Sequence, residues 1–152
     1  MSLEEKIIAD IKAAMLAKDS KKLEALRAIK AALMLEKTKG GASGGQITKE
    51  DEIRLLQKMV KQRRESAEIF RSQERADLAE TEERQLAVIE NYLPKQLDPE
   101  EVKTIVASII ENTGAQSIKD MGRVMGEASK QLGGKADNKT VAAIVKELLA
   151  EK

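Results

Sequence analysis

The sequence predicts an all-α protein, an N-terminal helical domain of about four helices followed by a small three-helix C-terminal domain. Three observations carry that prediction. The 152 residues are 41% hydrophobic but only 1% aromatic, with one Phe and one Tyr. Ala, Leu, Ile, Val and Met suit helix ridges, and sheet cores draw more on aromatic side chains. Apolar residues recur at helical spacing through most of the chain. Both prolines fall in one stretch, Asn91-Tyr92-Leu93-Pro94-Lys95-Gln96-Leu97-Asp98-Pro99. A residue before proline is pushed out of the α region, so a helix arriving there should stop near Tyr92 or Leu93. Asp98 as N-cap, Pro99 at the first helical position and Glu101 at N3 are placed to start another. The expected domains are therefore 1–93, an elbow at 94–98 with Tyr92, Leu93 and Pro94 as its hinge, and a tail at 99–152.

Taken in order, residues 3–17 carry Leu3, Ile7, Ile11, Ala14 and Met15 on one helical face, with Glu4 and Glu5 near the start. Asp19 or Ser20 can cap a helix over 21–37, with Leu23, Leu26, Ile29, Ala32, Leu33 and Leu35 as its stripe. The short polar connection predicts an antiparallel hairpin. Residues 38–46 are glycine-rich, but no Gly-Lys-Ser/Thr follows and no strand precedes, so the expectation is an interhelical loop and not a phosphate loop. Thr48 and Asp51 read as a capping box for a long helix to about Ser72, with Ile53, Leu55, Leu56, Met59, Val60, Ala67 and Phe70 inward. A second long pattern, 75–93, places Leu78, Ala79, Leu86, Ile89 and Leu93 on one face. Antiparallel pairing about 73–75 would bring Arg63 or Arg64 to a level similar to that of Glu82 or Glu83, where an ion pair can form, although solvated flanks of the two helices account for these residues more simply. Basic residues dominate the first of these helices and acidic residues the second, an arrangement for matching charge between neighbours.

Beyond the elbow, 100–111 shows Val102, Ile105, Val106, Ile109 and Ile110, with Gly114 as the stop. Ser117 and Asp120 read as a capping box for 118–130, where Met121, Val124, Met125 and Ala128 are apolar and Gly122 and Gly126 sit one turn apart. Each interior glycine loses about 1 kcal/mol against alanine. The expected reason is close helix packing, or an interface with a partner, along Gly122, Gly126, Met121 and Met125. Gly133 and Gly134 form a turn, Asp137 an N-cap, and 138–151 a last helix burying Val141, Ile144, Val145, Leu148 and Leu149.

Composition excludes several functions. Lys and Arg number 27 against 26 Asp and Glu, a net charge of +1, so attraction to nucleic acid or membrane must come from local patches. No cysteine means no disulfide, thiolate nucleophile or thiolate metal site, and it fits a reducing compartment. No histidine removes the usual base near neutral pH. Glu82 and Glu83 with Asp77 or Glu80 have metal-binding chemistry, but a solvated acidic helix face accounts for them. No metal site, cofactor or catalytic residue is expected. No apolar run suits a signal peptide or membrane span, so the expectation is cytoplasmic, with no membrane.

Three stretches together carry a family resemblance: Tyr92-Leu93-Pro94-Lys95-Gln96-Leu97, Lys119-Asp120-Met121-Gly122-Arg123-Val124-Met125-Gly126, and Gly134-Lys135-Ala136-Asp137 with Lys139-Thr140-Val141. They resemble the YqeY-like family, whose tail is shared with GatB, the B subunit of the transfer-RNA-dependent Asp/Glu amidotransferase. The resemblance covers nearly the whole chain for YqeY-like proteins and 50 onward for the GatB tail. It implies two helical domains and a tail that helps hold transfer RNA. The ATP-dependent activation and amide transfer of GatB reside in a domain with no counterpart here. Residues 126–133 depart from the family's more hydrophobic or basic run, and Glu127 puts RNA contact at that point in doubt.

Three functions follow as expectations. The first is a non-catalytic module that touches transfer RNA or works beside the amidotransferase, with Lys119, Arg123, Lys130, Lys135, Lys139 and Lys146 meeting phosphate and sugar. Lys135, between a glycine turn and a helix start, is the most suggestive. The segment 98–152 nevertheless holds eight basic against nine acidic residues, and the chain lacks an aromatic ladder for stacking on open bases. The second is a glutamine-dependent carbon–nitrogen ligase activity exercised with a partner. The third is a protein adaptor without RNA contact, docking through the Gly122 and Gly126 face.

Overall fold

The computed structural model describes residues 2–39 and 47–152. It is all-α, with four helices and then three, as the sequence predicts. The chain separates into two compact units, Met1–Leu93 and Pro94–Lys152.

In the first unit, α1 (Leu3–Leu16) starts where the Ser2 hydroxyl accepts from the Glu5 N–H. It buries Leu3, Ile7 and Ala14, with Ile11 beside them. Met15, expected inward, is 54% exposed because it lies about 100° round the helix from Ala14, at the edge of the buried face. α2 (Ser20–Lys39) is capped by Asp19, whose carboxylate accepts from the Lys22 N–H. Of its expected stripe, Leu26, Ile29 and Leu33 are buried, while Leu35 is 58% exposed. The helix runs further than expected, through Thr38, whose hydroxyl donates to the Leu35 carbonyl. An ion pair between Lys37 and Glu4 joins the end of α2 to the start of α1, so the two are antiparallel. The glycines of 40–46, expected as a loop, lie outside the described residues.

α3 (Lys49–Ser72) opens with the capping box expected: Asp51 N–H donates to Thr48 Oγ1 and Thr48 N–H to Asp51 Oδ2. Leu56, Met59, Val60 and Ala67 are buried. α4 (Ala76–Glu90) stops short of the Leu93 expected: Tyr92 and Leu93 leave the helix in a turn and pack on the core of this unit. The Tyr92 hydroxyl donates to the Asp10 carboxylate. α2 packs on both α3 and α4. The expected partners of Arg63 and Arg64 were off by up to two turns. Arg71 makes two bonds to Glu83, 2.7 and 2.8 Å, Arg64 reaches Glu90 at 3.3 Å, and Arg63 donates to Gln85 at 3.1 Å. Pairing about residue 74 sets Arg63 level with Gln85, and the long side chains of Arg64 and Arg71 each reach a partner further along α4. Glu74 takes the left-handed conformation (φ 60), its N–H donating to Arg71 O and that of Arg75 to Phe70 O. This left-handed stop ends α3.

In the second unit, α5 (Pro99–Thr113) has the expected capping box of Asp98 and Glu101. It ends at Gly114 (φ 71), with the Ala115 N–H on Ile110 O. α6 (Met121–Leu132) is preceded by a single 3-10 turn, Ile118–Asp120, so the expected Ser117 and Asp120 box does not form. Ser117 Oγ accepts from Lys119 N–H, and Asp120 instead accepts from the Gln116 N–H at 2.9 Å. α7 (Asn138–Ala150) buries Val141, Ile144, Val145 and Leu149, with Leu148 at the edge of the core. α5, α6 and α7 pack on one another around Val106, Ile109, Val124, Ala128, Val145 and Leu149.

Candidate nucleic-acid interface

The turn before α7 sets the geometry of the cations that follow. Gly133 (φ −52, ψ 119) and Gly134 (φ 78) form a type II turn closed by the Lys135 N–H on Leu132 O at 2.9 Å. Both glycines are required. Gly134 occupies the left-handed region, and a Cβ on Gly133 would fall 2.8 Å from the Ser129 carbonyl oxygen. Ala136 is buried, which turns Lys135 outward to solvent. Asp137 then takes the N-cap position of α7 with extended backbone, but its side chain caps no backbone N–H and faces Thr140 Oγ1 at 3.5 Å. Among the described residues no side chain thus caps the first-turn N–H groups of α7, and Lys135 and Lys139 stand on either side of them, both exposed. Lys146 follows two turns along, on the same face as Lys139, about 10 Å away. The 3-10 turn bearing Lys119 also packs on α7. Among the described residues, Lys119, Lys135, Lys139 and Lys146 make no ion pair.

Arg123 and Lys130 differ. They lie on α6 and each has a local acid, Asp120 at 3.3 Å and Glu127 at 3.9 Å. Hydrogen bonding from the Gln116 N–H, helped by the Ser117 N–H and Arg123, holds Asp120 below the ordinary carboxylate pKa against some desolvation. Asp120 therefore stays charged beside Arg123 throughout the neutral range.

Gly122 and Gly126 are exposed, and a Cβ at either would meet nothing within 4 Å. Close packing within this unit, expected from their spacing, is not their role. Helix periodicity places them on one face but does not say which element, if any, comes near it. Met121 and Met125, half-buried, pack on the core of the unit.

Sequence reasoning missed Gln96. Its side-chain amide donates to Pro94 O at 2.8 Å and to Gly134 O at 2.6 Å, and the neighbouring Leu97 N–H donates to Lys135 O at 2.8 Å. The motif containing it was legible, but a partner so distant in the chain leaves no local signal. Among the described residues no polar or charged side chain is buried, and no group of three His, Cys, Asp or Glu side chains is placed to hold a metal ion. No described helix is long and apolar enough to cross a membrane.

The chain is similar to a protein of Pyrenophora tritici-repentis named altered inheritance of mitochondria protein 41, mitochondrial. The two are 30% identical over 148 residues, 95% of this chain and 79% of that protein. A protein of the same name from Clavispora lusitaniae is 38% identical over 97 residues, 62% of this chain and 54% of that protein. An uncharacterized protein of Schizosaccharomyces pombe is 44% identical over 45 residues, 30% of this chain and 37% of that protein. The mitochondrial names of the first two overturn the cytoplasmic expectation. A chain without cysteine has no thiol for a compartment to oxidise or reduce, so its composition does not choose between compartments. The Yqey-like protein family model matches residues 4–149, and the chain belongs to that family.

Proposed function

We propose that this chain is a non-catalytic binding module that contacts transfer RNA, or works beside the transfer-RNA-dependent amidotransferase, through the cations around α7. The observation that carries the reading is the pairing of Lys135 and Lys139 with an α7 N-terminus that no side chain caps. Such a terminus offers N–H groups and a partial positive charge to an anion, and the two ammonium groups add mobile point charges. Lys146 and Lys119 extend the contact. Four lysines without carboxylate partners favour phosphate and sugar over base edges, which suits the shape-based recognition of folded RNA. Asp137 at the same turn weakens the field, so the expected binding is modest. Arg123 and Lys130 contribute once their exposed pairs exchange acid for phosphate, because such pairs hold weakly. The pivot at Tyr92, Leu93 and Pro94, between a helical domain at 1–93 and a tail at 99–152, belongs to the same proposal.

Amide transfer with glutamine as nitrogen donor is expected to come from a partner: this chain has no thiol or imidazole, which leaves only a serine with a lysine as base. A second reading is an adaptor that docks a protein on the exposed Gly122 and Gly126 face, where Met121 and Met125 lie alongside.

The test is recovery from cell extract on the purified chain, scoring nucleic acid and protein separately. Transfer RNA recovered at low salt and lost in Lys135→Glu supports the module. A protein recovered with no RNA, insensitive to nuclease and lost in Gly126→Leu, replaces it with the adaptor.

A further inference from the structure

We propose that Gln96 and Leu97 form a latch that fixes the turn before α7 and thereby sets the phosphate-binding strength of Lys135 and Lys139. The inference rests on the RNA-contact reading above and deepens it. The turn needs an outside support. It is closed by the bond from Lys135 N–H to Leu132 O, and Asp137 gives α7 no side-chain cap. The support comes from the segment before α5. A primary amide has two N–H donors, and the bonds from Gln96 Nε2 go to two carbonyls, Pro94 O at 2.8 Å and Gly134 O at 2.6 Å. One residue on, the Leu97 N–H takes Lys135 O at 2.8 Å while the Leu97 side chain packs on the core of the unit.

Two successive carbonyls of the turn, Gly134 and Lys135, are thus held from one short segment. Lys135 has both backbone groups bound, its N–H to Leu132 and its carbonyl to Leu97, so its side chain leaves from a fixed point. Lys146 rides on a helix and needs no such support. The latch therefore acts on part of the cation set, that at the turn and the start of α7. Gln96 is a positioning residue here, since it meets the ligand only through the turn. By linkage, whatever strengthens the latch strengthens phosphate binding at the turn, and a bound phosphate protects the latch by the same factor.

The experiment combines amide hydrogen exchange with binding of unfractionated transfer RNA at low salt, on the full chain and its variants Gln96→Ala, Lys135→Glu and the double mutant. Gln96→Ala is expected to speed exchange about tenfold at the Leu97 and Lys135 amides, which the Gln96 side chain does not itself touch, and to leave Val106 and Val145 unchanged. RNA affinity is expected to fall several-fold, and the double mutant to bind no more weakly than Lys135→Glu alone, the mark of one shared mechanism. If Gln96→Ala loses protection throughout the unit, Gln96→Glu decides. It keeps the volume, while a carboxylate facing two carbonyl oxygens cannot hold the turn. Unchanged exchange at Leu97 and Lys135 overturns the latch. Faster exchange with unchanged affinity, or additive losses in the double mutant, overturns its link to the site. A wild-type chain that binds no RNA overturns the functional reading and this link together, and the exchange data still decide the latch.

Discussion

In the N-terminal unit polar side chains tie one helix to another: Lys37 to Glu4, Arg64 to Glu90, Arg71 to Glu83, and Tyr92 to Asp10. In the C-terminal unit the ion pairs among the described residues are local to the start and the exposed side of α6, Arg123 with Asp120 and Lys130 with Glu127. Its three helices meet through aliphatic side chains, and its long-range polar ties are those of Gln96 and Leu97 to the α7 turn. The turns differ as well. The same two-bond helix stop is made by Lys18 (φ 57) after α1 and Glu74 (φ 60) after α3, but by Gly114 (φ 71) after α5. The difference teaches where charge is employed. In the first unit much of it registers helices against each other. In the second it is left facing solvent, available to a ligand.

The largest effect that would break this comparison lies in the apolar core of the C-terminal unit. Ile109→Ala is expected to destabilise it by about 3 kcal/mol, read as lost exchange protection across α5, α6 and α7. Arg71→Ala in the other unit should leave α3 and α4 protected, because its partner is exposed. Next, Gly133→Ala should destabilise by about 2 kcal/mol through overpacking against Ser129 O. Gly126→Ala, about two turns earlier, should stabilise α6 by about 1 kcal/mol. Chemical denaturation checks both signs. A loss at Gly126 would mean that its face is covered.

Smaller again are the helix stops. Glu74→Gly and Lys18→Gly should each stabilise by about 1 kcal/mol, and Gly114→Ala should cost about the same. The smallest effect is a pH dependence. Burial, then the hydrogen bond and charge of Asp10, raises the Tyr92 pKa above its ordinary 10.0. A raised pKa favours the neutral phenol in the folded state. Its contribution is therefore complete below about pH 10 and is lost as pH climbs above that toward the folded value. Thermal melts at pH 9 to 11 should show that loss in the wild type and less of it in Tyr92→Phe.

Helix positions were legible because their signals are local. Thr48 with Asp51 and Asp98 with Glu101 are capping boxes readable from spacing, and the stripe of α5 is buried much as its period implies. Register was not legible. Long guanidinium side chains reach acceptors away from their own level, as Arg64 does to Glu90, and nothing in the residue types announces a left-handed stop at a non-glycine residue such as Glu74. The cations could be named from the sequence, but which of them have a carboxylate nearby is settled by three dimensions. The α7 cap shows the same limit. Asp137 has the right residue type at the right place, yet its carboxylate turns to Thr140 and leaves the helix start open.

The central claim is that the cations around α7 meet the phosphates of folded RNA. Its most direct test is the affinity for transfer RNA across a salt series, with wild type and Lys135→Glu side by side. The account predicts a linear fall of log affinity with log salt, about 100-fold between about 50 and 200 mM if about four phosphates are neutralised. It also predicts a weaker salt slope in the variant. Binding that ignores salt, or that Lys135→Glu leaves intact, would contradict it.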